Sequence, residues 1–65
     1  MKRDEVTPGR IIRSTTKNVT AKIVSVKPCE GQPTKVVLDF GWDAPRSSFW
    51  NTTVRHTAKY YALIG

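Results

Sequence analysis

The chain has 65 residues, 38% of them hydrophobic, and carries 11 Lys+Arg against 5 Asp+Glu for a formal charge of +6. A chain this short holds one domain and buries only about 60% of the surface its unfolded form exposes, so its large apolar residues are needed inside. Lone Cys29 excludes an internal disulfide, the pair Cys29 and His56 cannot make a tetrahedral zinc set, and no apolar run approaches the ~20 residues of a membrane span.

β-branched residues dominate the segments between turn signals, and this predicts strands in chain order. Residues 1–5 read as a flexible tail ahead of a single domain. "VTPGRIIR", Val6 to Arg13, bends at Pro8-Gly9 and then extends through Ile11 and Ile12. "STTKN" follows as a polar loop. In "VTAKIVSVK", Val19, Ala21 and Ile23 alternate with Thr20 and Lys22. The alternation breaks after Ile23, which predicts a β-bulge or a twist from one sheet to another. "PCEGQP" holds two prolines and a glycine and reads as a loop unable to continue a central strand.

The third segment has the cleanest alternation. Val36, Leu38, Phe40 and Trp42 share one face, and Lys35, Val37, Asp39 and Gly41 share the other. This assigns Phe40 and Trp42 to the core. "DAPRS" is the next turn. From Ser47 to about Arg55, Ser48, Trp50, Thr52 and Val54 alternate with Phe49, Asn51, Thr53 and Arg55. One of the adjacent rings Phe49 and Trp50 must therefore leave the interior; with Trp50 inward, Phe49 faces out. "HTAK" reads as one short helical turn capped by Thr57, and "YYALI" as a fifth strand.

The expected fold is all-β: a small five-stranded barrel with at most one helical turn before the last strand. The order of strand, loop, three-strand meander, short turn and strand is similar to SH3-like barrels. The opening "VTPGRII" resembles their V-x-x-G-x-x-I/V first strand. The likeness covers most of the chain as a pattern of spacing, without a diagnostic motif. A five-stranded OB-like barrel is the alternative, though it needs more residues and often a helix between its third and fourth strands.

The charge sets the functional expectation. A +6 domain attracts polyanions by steering and counterion release, although net charge also serves solubility. An exposed ring beside cations can stack on a base while the cations hold phosphate. The last third offers such a set: Arg46, Phe49, Arg55, Lys59 and Tyr60, with His56 nearby and no acid after Asp43. Lys35 joins them if its strand pairs across "DAPRS". The expected function is binding of DNA or RNA with weak sequence preference.

The rival expectation is a protein-interaction module. A groove between "STTKNV" and "PCEGQP" with Trp42 or Trp50 would dock an acidic protein surface, as an accessory or inhibitory protein of a virus or mobile element would. A homodimer through an exposed edge from Val36 to Trp42 is a further possibility. No catalytic triad, carboxylate pair in a cleft or glycine-rich phosphate loop is recognisable, so neither enzyme activity nor a cofactor is expected. The absence of a signal-like start and of a staple predicts a cytoplasmic protein, complete or nearly so.

Overall fold

The computed structural model describes residues 1–64. It contains one antiparallel sheet of five strands: β1 (Ile11–Ser14), β2 (Thr20–Cys29), β3 (Gln32–Asp39), β4 (Phe49–Thr53) and β5 (Tyr61–Leu63), in the spatial order β4-β3-β2-β1-β5. A helix, α1 (Val54–Tyr60), stands between β4 and β5. β4 and β5 are the two edges, and the sheet is not closed by pairing between them.

Val36 and Leu38 of β3 build the core, as their alternation predicts. Both are fully buried with Ile12, Ala21 and Ile23, and Val6 joins them. Alternation in β2 ends where expected. Ile23 pairs with Leu38, but Ser25 pairs with Val37, so Val24 is the extra residue of a bulge. Val24 is exposed as a result, while Val26 returns to pack on the core.

"PCEGQP" is not the loop its composition suggests. β2 continues through Pro28 to Cys29, β3 begins at Gln32, and Glu30-Gly31 alone make the turn. Gly31 supplies a φ of +71° there, a conformation glycine adopts without a Cβ penalty. A second register shift, between Lys27 and Cys29, coincides with Pro28. A proline that cannot donate to a ladder is accommodated at such a bulge.

The helix also exceeds the expected single turn. It runs seven residues, and its cap is Thr53, not Thr57. Thr53 keeps an extended backbone and its Oγ1 accepts from the His56 N–H at 3.2 Å. Thr57 is buried inside the helix, where its hydroxyl donates to the Thr53 carbonyl at 2.8 Å. Val54 and Ala58, four residues apart, pack on the core, and Arg55 and Lys59 share the exposed side.

Residues 1–5 are not a free tail. Arg3–Glu5 form a 3-10 turn against α1, Met1 packs on the core, and its amino group donates to the carbonyls of Ala58 and Tyr61, both at 3.1 Å. The expected edge from Val36 to Trp42 is likewise corrected, because β3 is paired on both sides.

With so small a core, Leu38→Ala is expected to cost about 2–5 kcal/mol. A domain of this length has a total stability of roughly 3–10 kcal/mol. Urea unfolding should show a sharply lowered midpoint at unchanged slope.

Candidate nucleic-acid interface

The connection from β3 to β4 determines where the exposed rings point. β3 ends at Asp39, so the alternation that assigned Phe40 and Trp42 to the core stops there. Phe40 remains half-buried, but Trp42 is 39% exposed. Asp39 and Gly41, expected on the outer face, are buried instead. The Asp39 carboxylate accepts from the backbone N–H groups of Gly41 and Ser48, each at 2.9 Å. Gly41 carries the Arg46 carbonyl against its α-carbon: an added Cβ would lie 2.0 Å from that oxygen. The loop is thereby folded back on itself, the Phe40 N–H reaches the Ser48 carbonyl at 2.9 Å, and β4 starts with Phe49 opposite Asp39.

β4 is an edge strand, and both of its rings are exposed: Phe49 at 63% and Trp50 at 64%. The expectation that one would enter the core is wrong. Trp50 does lie on the Leu38 side of the sheet, but at the margin of the core, with no strand beyond it. Phe49 lies on the other face with Asn51 and Thr53, and Lys35 is on that face too, opposite Thr53. Lys35 and Phe49 thus sit at opposite ends of the ladder, about 13 Å apart at ~3.3 Å per residue.

The remaining predicted residues divide between two elements. Arg55, Lys59 and Tyr60 come together on α1, where with His56 and Thr53 they line a shallow concavity. The Lys59 ammonium lies 5.3 Å from the centre of the Tyr60 ring, and the His56 ring is 4.6 Å from it. Arg46 stands exposed in the latched loop. The six predicted residues therefore form an α1 cluster, an outer-face pair and a loop cation, not one patch.

A second concavity, of about 460 Å³, lies on the other side of β4. It is lined by Ser14, Lys17, Val19, Phe40, Trp50, His56 and Tyr61. The "STTKNV" loop contributes as expected, but "PCEGQP" does not, and the tryptophan is Trp50 rather than Trp42. Its polar wall is held by named bonds. Ser14 Oγ accepts from the Thr16 and Lys17 N–H groups at 3.3 and 3.1 Å. The Arg13 guanidinium donates to Asn18. The Thr15 N–H and hydroxyl both reach the Tyr60 carbonyl, at 2.9 and 3.0 Å. Burial raises the Tyr61 phenol above its ordinary pKa. Sequence reasoning had no route to this groove as a whole, because its residues come from four separated segments.

Burial pushes the Asp39 pKa upward. The backbone N–H groups of Ser48 and Gly41, the Ser47 side chain and the charge of Lys22 outweigh it, so the net shift is downward. The fold therefore favours the ionised carboxylate. Its contribution is fully present above the unfolded value of about 3.9 and is lost as pH falls through the lower folded value. Asp39→Asn should lower stability at neutral pH and flatten the acid limb of the unfolding curve, read by tryptophan emission and circular dichroism. Set against protein-family models, curated proteins and solved structures, the chain matches none.

Proposed function

We propose that this chain is a binding module for DNA or RNA with weak sequence preference. The observation that carries the reading is the junction of β4 and α1. Two rings more than 60% exposed stand at the start of β4, and the helix that begins after Thr53 bears Arg55, His56 and Lys59. No acid occurs in the sequence after Asp43. Arg55 and Lys59 contact phosphate beside Tyr60, which stacks, while Phe49 offers a second stacking ring on the outer face and Lys35 and Arg46 extend the positive surface on β3 and the loop. The β5-β1-β2-β3-β4 order, with a helix before the last strand, supports an SH3-like barrel as the scaffold over an OB-like one.

A second reading, docking on an acidic protein or on another copy of the chain, is favoured by one observation. β4 contains no Lys, Arg or Pro and no bulge, the devices by which edge strands resist pairing. Screening of the +6 charge would strengthen self-pairing with salt, whereas salt weakens phosphate contacts.

Neutralising about 3 phosphates predicts a slope of log affinity against log salt of about −2 to −3. Arg55→Gln and Lys59→Gln should each weaken binding across all sequences and reduce the slope by just under about 1. Fluorescence anisotropy of labelled oligonucleotides at several salt concentrations reads both quantities. No binding at low salt, with oligomer mass rising as salt is added, would replace this reading by the second.

A further inference from the structure

We infer that the groove between the Ser14–Val19 loop and the β4–α1 corner is a pocket for one unpaired nucleobase, with its phosphate held at the Lys17 rim. This rests on the nucleic-acid reading above and sharpens it from polyanion binding to single-strand recognition.

Three observations converge on the groove. First, its rings are of two kinds. Phe40 and Tyr61 lie 6.5 Å apart and His56 lies 6.5 Å from Tyr61, so these three support one another. Trp50 lines the same groove, is 64% exposed, and has no ring partner among the described residues. An indole with a free face is the strongest stacking surface a protein offers to a base.

Second, the size suits one small ligand. A groove of about 460 Å³ falls in the lower part of the ~300–1,000 Å³ span of small-ligand sites. It admits a base with its sugar, not a length of strand.

Third, the charge selects among flat apolar occupants. No lining residue is acidic, and Lys17 and His56 stand at the wall. An apolar peptide side chain would use the rings and leave the lysine idle. A nucleotide uses both, with its phosphate on Lys17. The Lys17 N–H is bonded to Ser14 Oγ and the neighbouring Thr15 is bonded to the end of α1, so the rim is set before the ligand arrives.

A base inside a duplex has both faces stacked and its pairing edge occupied, so it cannot enter. The groove therefore discriminates by strandedness. The α1 cations do not, since phosphate is common to both forms.

The test uses the full chain carrying Trp42→Phe, so that Trp50 is the sole tryptophan. Its emission is followed during titration with an oligothymidylate of about ten nucleotides and with a hairpin duplex of equal charge, at low salt. The single strand should quench Trp50 and bind at least about tenfold more tightly than the duplex. Trp50→Ala, made with Trp42 retained and read by anisotropy, should weaken single-strand binding about ten- to a hundredfold and leave duplex binding within about twofold. Trp50→Phe should restore most of the loss, and Lys17→Gln should weaken the single strand more than the duplex. Equal losses for both forms, or binding without quenching, would overturn the base pocket and leave the nucleic-acid reading standing. Failure of every oligonucleotide to bind would overturn both. Quenching by an oligoglutamate peptide in that case would assign the groove to an acidic protein.

Discussion

The Asp39 carboxylate is the group on which the exposed surface depends. It closes β3, accepts two backbone N–H groups from the following loop, and fixes the residue at which β4 begins. A one-residue slip at that point would exchange the two faces of β4 and turn Phe49 toward the core side in place of Trp50. Gly41 makes the same requirement from the steric side, since the Arg46 carbonyl occupies the space of a Cβ. A buried anion and a missing side chain together assign the two rings their opposite faces.

That division gives the chain two surfaces with different chemistry. On one side of β4, Phe49 shares the open face of the sheet with Asn51 and Thr53, opposite Val37 and Lys35. On the other, Trp50 meets a groove walled by the first loop, α1 and the start of β5. The α1 cations sit at the corner between them. The cap at Thr53 makes this corner possible, because one residue ends the strand and begins the helix, and Thr57 satisfies its hydroxyl at the carbonyl thus exposed.

Much of this was readable from the residues, and the failures share a cause. The Val36/Leu38 alternation, the break after Ile23, the Pro8-Gly9 bend and five strand segments follow from local pattern, which acts over two to four residues. Composition misled at "PCEGQP", where a bulge absorbs Pro28 and a two-residue turn suffices. Alternation misled at Asp39 and Trp42, because nothing local marks where a strand stops when a distant N–H, that of Ser48, claims the carboxylate. The candidate residues were legible as types, and Arg55, Lys59 and Tyr60 line one concavity on α1. Their division into separate places depends on register, and the groove depends on contacts between the two ends of the sheet. Neither is visible in spacing.

The pairing of β1 with β5 joins segments from opposite ends of the described chain. β2, β3 and β4 form a meander of neighbours, but β1 keeps one ladder edge open until Tyr61–Leu63 dock on it. Ordering of this kind slows folding, because the entropy of closing the long loop is spent before the contact is made. During that interval β1 presents one unpaired edge and the groove wall lacks Tyr61. The groove wall is therefore complete only once β5 has docked on β1, so the charge precedes the concavity.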